Sequence, residues 1–360
     1  MLSKEVLFSF FPKCTHTRYR TLIRVFSSLE HAWTAELDDL KKTKWQDDII
    51  AEFLTWRDKL DVNRIEEMLE KRSIRAITKT DEEYPALLKN IFDPPLCLFV
   101  RGSTLPTHRY YLAVVGPRKN TPYGKHITEL FIAQLAQAGI TIVSGLAYGI
   151  DAIAHRATLQ AGGHTVAVLG GGVNKEHVQP AQNQRLAEDI LQAGGALMAE
   201  YPPGTIPTRY TFPRRNRIIS GISLGTLVIE AGESSGSLIT AQCSIDHHRD
   251  VFAVPQNITS QMSIGVNKLI QSGAHPVISP DDVLNILDLG HIKQHIDTQK
   301  ELPGTQEERQ ILDHISQEPK HVDEIVRELK LPSSKITSTL TIMEMKGMVK
   351  NLGMMHYIKK

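Results

Sequence analysis

The segment Ile140-Thr-Ile-Val-Ser-Gly-Leu-Ala-Tyr-Gly-Ile-Asp151 decides the architecture. A short, continuous apolar run, Ile140–Val143, breaks at Ser144-Gly145, and a helical pattern opens at Ile150 and runs to Gln160. An uninterrupted apolar run of that length fits a strand buried on both faces. Its passage through glycine into a helix is the unit from which parallel sheets are built. The same passage recurs along the chain. Leu112–Val115 runs into Gly116-Pro-Arg-Lys119 and then a helix over Tyr123–Ala138, with Ile127, Leu130, Phe131 and Leu135 on its buried face. Thr165–Leu169 ends in Gly170-Gly-Gly172, and Leu197–Ala199 follows a helix over Gln184–Gln192. Leu227–Ile229 runs into Glu230-Ala-Gly232, with Ser235-Gly-Ser237 opening a helix over Leu238–His247. Val251–Val254, Val266–Gln271, Pro276–Ile278 and Asp281–Leu287 complete the alternation. The expectation is an α/β fold: a Rossmann-like, doubly wound, mostly parallel sheet over residues 76–290.

The flanks read differently. Residues 1–75 carry apolar positions at helical spacing over Thr17–Ser28, Asp47–Trp56 and Val62–Lys71, which predicts a small all-helical module. A connector follows to about residue 105, marked by turns at Asp81-Glu-Glu-Tyr-Pro85 and Asp93-Pro-Pro95, with a strand at Leu96–Val100. Leu302-Pro-Gly304 reads as the end of a linker. Residues 305–360 predict helices over Glu307–Ile315, Val322–Leu329 and Pro332–Met345. Two β-like pieces follow, Met348–Asn351 and Met355–Ile358. Three helices and a hairpin make a winged helix.

Composition excludes several classes. Of 360 residues, 41% are hydrophobic and 22% charged, which places the chain among globular proteins. A net charge of +1 rules out an evenly basic coat, so any polyanion surface is a local patch. Cys14, Cys97 and Cys243 are far apart and lack C-x-x-C spacing, so neither a disulfide scaffold nor structural zinc is expected. No window approaches the ~20 apolar residues of a membrane span. Leu7-Phe8-Ser9-Phe10-Phe11 lacks the long apolar core and cleavage site of a secretion signal, so the cytoplasm is the expected compartment.

The four glycine-bearing turns all follow strands, so they should lie on the carboxyl edge of one sheet, where such folds bind ligands. To that edge the sequence adds Phe212-Pro-Arg-Arg-Asn-Arg-Ile-Ile-Ser-Gly221, read as a packed loop. Guanidinium presents a planar fork of donors suited to phosphate. The candidate anion site is therefore Arg118, Arg214, Arg215 and Arg217, with Asn216 beside them. Ser144-Gly-Leu-Ala-Tyr-Gly149 does not match G-x-G-x-x-G, and nothing matches G-x-x-x-x-G-K-[ST]. No nucleotide cofactor is expected, and no metal.

Other candidates read as structural. Asp151 and His155 lie four apart and form a conceivable catalytic pair, but helix capping and a structural hydrogen bond are favoured. His247-His248 suits a helix C-terminus. Glu230 could act as a base or anchor the arginines, and the anchor is favoured. On the third helix of the winged region, Lys335, Thr337, Ser338, Thr341 and Lys346 suit a duplex groove. With Asp323, Glu324, Glu328 and Glu344 nearby, docking of a protein stands equally open. Met343, Met345, Met348, Met354 and Met355 read as core filler, with an adaptable partner surface as the alternative.

Several motifs together resemble the DNA-processing protein A (DprA/Smf) family. They are Val115-Gly-Pro-Arg118 with Thr121-Pro-Tyr-Gly124, Val143-Ser-Gly-Leu-Ala-Tyr-Gly-Ile-Asp-Ala152, Thr165-Val-Ala-Val-Leu-Gly170 and Glu200-Tyr-Pro-Pro-Gly204. They continue with Phe212–Gly221, Val228-Ile-Glu-Ala231, Ser235-Gly-Ser-Leu-Ile-Thr-Ala241, Val251-Phe-Ala-Val-Pro255 and Gly265-Val-Asn-Lys-Leu-Ile270. The resemblance covers about 110–280 closely, and the flanks fit family members with a SAM-like helical module and a winged helix. It implies a protein without catalytic residues that binds single-stranded DNA in the cytoplasm. Such a protein protects incoming strands in natural transformation, helps load the recombinase RecA and acts as a homodimer. It places Arg118, Arg214, Arg215 and Arg217 in the family's basic pocket, with Ser144, Gly145, Ser237 and Thr240 as further donors. The chain departs from the pattern at Pro117, usually Ser, at Tyr148, often basic, and in Gly170–Pro180. Tyr148 could stack on a base or cap the sheet edge. A rival reading is an enzyme on nucleoside monophosphates. Gly225-Thr226 through Glu230 loosely resembles the lysine-decarboxylase-like family, although its Pro-Gly-Gly run is replaced by Gly221-Ile-Ser-Leu224.

Overall fold

The structure, a computed structural model, describes residues 2–104, 110–290, 305–316, 318–345, 348–353, 355–359. It divides into two compact units, Met1–Val283 and Leu284–Lys360.

The first unit is built on nine strands: β1 (Ile74–Thr78), β2 (Cys97–Gly102), β3 (Tyr111–Val115), β4 (Thr141–Ser144), β5 (Thr165–Val168), β6 (Ala196–Ala199), β7 (Gly225–Val228), β8 (Asp250–Ala253) and β9 (His275–Pro276). Their order is β1-β2-β6-β5-β4-β3-β7-β8-β9. From β6 to β9 every pairing is parallel, whereas β1 and β2 are antiparallel to each other and β2 is antiparallel to β6. This is the mixed, mostly parallel Rossmann-like sheet that the alternation predicts. Every residue of β3 to β7 is buried, as strands covered on both faces must be.

Side chains alternate between the faces along each strand. Leu98, Val100, Val166, Val168 and Met198 share one core with Ile218, Ile219 and Ile222. Phe99, Ala167, Leu197 and Ala199 join Leu186 and Ile190 in the other. Each fully buried aliphatic side chain contributes about 1.5–3 kcal/mol relative to exposure.

The segment read as a connector supplies β2, where a strand at Leu96–Val100 is expected, and most of β1, which the sequence reading does not include. Arg75 interrupts the apolar run in β1 and hides its strand character. Its guanidinium donates to the carbonyls of Gly102 and Ser103, at 2.7 and 2.8 Å. β1 begins three residues after the helix Val62–Lys71, so the helical module leads directly into the sheet.

That module has helices over Lys4–Ser9, His16–Phe26, Leu29–Thr34, Leu37–Lys41, Asp47–Lys59 and Val62–Lys71. Phe8 stacks on Phe53 with ring centroids 5.4 Å apart, and Phe11, Leu22, Leu40 and Ile50 close the core around them. Phe10 meets Phe99 of β2 edge to face at 5.5 Å, and Ile65 and Leu69 pack into the same sheet core.

In the second unit, helices Gln306–His314, Val322–Leu329 and Ser333–Met345 surround a small sheet. Its strands are β10 (Lys320–His321), β11 (Val349–Gly353) and β12 (His356–Lys359), in the order β10-β12-β11. Thr305 and Glu308 form a reciprocal capping box at the first helix. Met343 and Met348 are buried in the core with Ile311, Ile325, Ile336 and Leu340, whereas Met355 is half exposed. The expected linker at Leu302-Pro-Gly304, Lys346, Met354 and the side chain of Met345 lie outside the described residues. Among the described residues no helix is long and apolar enough to cross a membrane.

Candidate nucleic-acid interface

The chain leaves β3 towards β4, β5 and β6 on one side, then crosses back to β7, β8 and β9 on the other. β3 and β7 therefore flank the topological switch point, outside whose carboxyl ends open α/β sheets bind ligands. A cleft of about 670 Å³ opens there. Gly116 to Arg118 after β3 form one wall, Ser234 to Ser237 after β7 another, and the Phe212 segment closes it.

The Phe212 segment is not a loop. It forms a helix, Thr211–Ile222, with Pro213 at its third position. The first turn of a helix leaves its N–H groups without intrahelical partners, so proline loses nothing there. The helix divides the arginine run between two directions. Phe212, Arg215, Asn216 and Ile219 line the cleft, while Arg214 and Arg217 turn away.

Arg215 is only 4% exposed. Its guanidinium donates to the carbonyl of Gly145 at 2.7 Å and to that of Val168, and its Nε donates to Asn216 Oδ1 at 3.2 Å. Burial pushes its pKa down to about 10. The Asp151 carboxylate opposes that shift and the nearby Arg118 adds to it, so Arg215 is a cation at neutral pH. Burial raises the Asp151 pKa, against Arg215 and the N–H groups of Ala147 and Gly145. The Gly145 N–H donates to Asp151 at 3.1 Å. A Cβ at Gly145 would lie 2.3 Å from the Arg215 guanidinium, so only glycine lets the two motifs meet. Ser144 is fully buried and its hydroxyl donates to the Val114 carbonyl at 2.7 Å.

Arg217 donates to Glu200 at 2.5 Å and to the Asp93 carbonyl at 2.5 Å, and its Nε lies 3.2 Å from the Asp93 carboxylate. Arg214 lies 3.5 Å from Glu200. Glu200 is thus the arginine anchor, a role the sequence reading gives to Glu230. The buried Glu230 carboxylate instead accepts from the Thr121 N–H at 3.0 Å and its hydroxyl at 2.5 Å. It thereby holds the start of the helix Pro122–Gln137.

Of the expected site residues, Arg118, Arg215, Asn216, Ser237 and Thr240 line the cleft, and Asp151 lines it as well. The Arg118 guanidinium lies 5.7 Å from the centroid of the Phe212 ring. Ser235 caps the helix Gly236–Asp246, whose N-terminus opens onto the cleft and favours an anion. Arg209 also lines the cleft and lies over the Tyr210 ring at 4.7 Å. The sequence reading missed it. Its signal is a basic–aromatic pair, Arg209-Tyr210, just before Phe212–Gly221.

Other expected groups lie elsewhere. Tyr148 donates its hydroxyl to Gln182 and does not line the cleft. The glycine triplet after β5 is buried, and the Gly172 N–H donates to the Thr205 carbonyl at 3.0 Å, so a loop covers this turn. His155 bonds Thr165 Oγ1 at 2.7 Å and does not pair with Asp151. Burial, with Arg215 and Arg156 nearby, pushes its pKa down to about 3. His247 bonds the Ser220 hydroxyl at 3.0 Å, and burial lowers its pKa, so it is not the cation expected at that helix end. In the second unit, Lys335 pairs with Glu307 at 2.8 Å, and Thr337, Ser338 and Thr341 donate their hydroxyls to carbonyls of their own helix. Among the described residues no three His, Cys, Asp or Glu side chains converge on a metal position.

Residues 75–288 match the family model of DNA recombination-mediator protein A, and residues 297–353 match that of the DprA winged helix domain. The chain belongs to the DNA recombination-mediator protein A family. The chain is 46% identical to Protein Smf of Escherichia coli over 222 residues, which are 62% of this chain and 59% of that relative. The X-ray structure of DNA processing protein A from Streptococcus pneumoniae is similar at a TM-score of 0.68 and 33% identity, covering 79% of this chain and 98% of that one. A second member, DNA processing protein A from Helicobacter pylori, is described by its single-stranded DNA binding mode. It is similar at a TM-score of 0.53 and 27% identity over 59% of this chain and 95% of that one.

Proposed function

We propose that this protein is a recombination mediator that holds single-stranded DNA along the carboxyl edge of its sheet. One observation carries the reading: at the switch point, Arg118 stands over the Phe212 ring and faces the capped N-terminus of helix Gly236–Asp246. A cation beside an aromatic face, opposite a helix N-terminus, suits the alternating phosphates and bases of a single strand.

Arg118, Arg209, Asn216, Ser237 and Thr240 make the contacts in this reading. Arg215, Ser144 and Gly145 shape the cleft wall, and Arg214 and Arg217 fix the helix to Glu200 and Asp93. The protein acts as a binder without catalytic residues or cofactor. It works in the cytoplasm, as a homodimer that presents two clefts, and delivers strands to RecA during natural transformation. The likeness to a relative described by its single-stranded DNA binding mode supports the DNA assignment.

The test is fluorescence anisotropy of labelled oligo-dT over a salt series, with duplex DNA and a nucleoside monophosphate as competitors. Tight, salt-sensitive binding that neither competitor displaces supports the reading. Displacement by the mononucleotide would return the cleft to a small-molecule enzyme.

A further inference from the structure

A second basic surface lies on the helical module, away from the residues that line the cleft. Helix His16–Phe26 places Arg20 and Arg24 one turn apart and exposed. Among the described residues neither guanidinium meets a carboxylate. The two arginines border a hollow of about 450 Å³ together with His16, Thr17, Thr21 and Phe92.

Phe92 is the unusual member. Its ring is 83% exposed, and its only aromatic neighbour among the described residues is His16, with centroids 6.3 Å apart. A lone exposed aromatic is ordinary, but one that borders the same hollow as two unpaired guanidiniums is a recognisable combination. Phe92 is also held in place. The next residue, Asp93, is gripped through both its carbonyl and its carboxylate by Arg217. Arg217 belongs to the helix that lines the cleft with its other face. The platform and the cleft are thus fixed to one element of one compact unit. Half-exposed Arg214 stands one turn before Arg217 on the same side of that helix.

We propose that this surface is a second contact for single-stranded DNA, in which a base stacks on Phe92 and phosphates meet Arg20 and Arg24. The inference rests on the cleft reading above. Paired bases in a duplex expose only edges, so an open ring selects single strands. Charge complementarity supplies the rest, because two exposed cations without an internal carboxylate attract a polyanion and form charge-assisted hydrogen bonds with its phosphates.

The test compares Phe92→Ala and the double variant Arg20→Ala, Arg24→Ala with the unaltered full chain. Two labelled oligo-dT probes are used, one of about 6 and one of about 30 nucleotides, so that only the longer can reach beyond a single site. The expected result is about tenfold weaker binding of the long probe by Phe92→Ala, as loss of one stacked base predicts, with unchanged binding of the short one. The double arginine variant should flatten the salt slope on the long probe by about 1.4, the share of two phosphates. All three side chains are exposed, and unchanged melting temperatures will verify folding. Wild-type affinity of both variants for the long probe overturns the inference and leaves the cleft reading intact. Capture of an acidic poly-Glu peptide that depends on these residues, with DNA affinity unchanged, assigns the surface to a protein and also overturns it. If the unaltered protein binds neither probe, the cleft reading falls and this inference with it.

Discussion

The guanidinium of Arg215 donates to the main-chain carbonyl of Gly145 at 2.7 Å and joins two motifs that lie 70 residues apart. The same guanidinium reaches the carbonyl of Val168, the last residue of β5. Parallel strands that end at a crevice leave carbonyls without ladder partners, and a buried unpaired carbonyl is costly. Arginine has five donors in a planar fork and serves several such carbonyls at once, where lysine would serve them as a point charge. The most buried arginine of the run therefore builds the cleft, and the exposed Arg118 is left to meet a ligand.

Arg215→Ala and Arg118→Ala are accordingly expected to fail in different ways. Removal of the Arg215 side chain leaves two buried carbonyls unpaired and the Asp151 carboxylate without its cation. The expected loss of stability is about 3–5 kcal/mol. Arg118→Ala should change stability by less than about 0.5 kcal/mol, as an exposed substitution does. It should weaken binding to all single strands alike and reduce the salt slope by about 0.7. Urea unfolding beside anisotropy separates the two. An unaltered unfolding midpoint for Arg215→Ala would mean that its guanidinium works outward.

Gly145→Ala adds one methyl group where the Arg215 guanidinium lies 2.3 Å away. The neighbour is buried and hydrogen-bonded, so it cannot swing aside without losing its carbonyls. Overpacking of this kind costs about 1–3 kcal/mol, and binding should fall through displacement of the cleft wall. The double variant Gly145→Ala, Arg215→Ala should cost less than the sum of the singles, because both act on one contact. Full additivity would show that the two residues are not coupled.

Much of this arrangement is legible in the sequence, for identifiable reasons. The strands β3 to β8 are short, mostly apolar runs, and burial on both faces confines their polar members to small hydroxyls and the terminal Asp250. Local chemistry misleads at Phe212–Arg217, where proline and three cations imitate a loop. The signal for a helix there is the apolar pair Ile218-Ile219 packing on the sheet, and that becomes visible only in three dimensions. β1 is hidden by Arg75, whose partners are carbonyls 27 and 28 residues away. The exchange of roles between Glu230 and Glu200 is of the same kind. Both acids follow strands, and only the path of helix Thr211–Ile222 decides which one the arginines meet. Sequence spacing names the residue types at the sheet edge, whereas tertiary geometry decides which of them stay free for a ligand.

Deletion of the chain after residue 302 should leave affinity for oligo-dT unchanged. Every residue that lines the cleft lies within the unit Met1–Val283. The hydroxyls of the third winged helix donate to its own backbone, and Lys335 is paired with Glu307. Anisotropy with the truncated chain measures this directly. Loss of binding by a chain that still melts cooperatively would place the main DNA contact in the winged helix.

Stability should fall on mild acidification, and His155 should carry an identifiable share. Its imidazole is buried against Thr165, with Arg215 and Arg156 adding to the effect of burial, so its pKa is about 3 in the fold against an ordinary 6.5. Between those values the unfolded chain takes up a proton that the folded chain refuses. The contribution of neutral His155 is thus complete above about pH 6.5 and declines as pH falls towards 3. The decline amounts to about 1.4 kcal/mol per pH unit, or about 2 kcal/mol by pH 5. His16 and His247 are lowered by burial as well and act with the same sign. The decisive comparison is therefore between the parent and His155→Gln, which keeps a hydrogen-bonding end for Thr165 but cannot titrate. Urea unfolding of both proteins between pH 7 and pH 5 should show a slope smaller by about one proton in the variant. Equal slopes would mean that His155 takes up its proton inside the fold, and that the buried wall behind Arg215 tolerates a second cation.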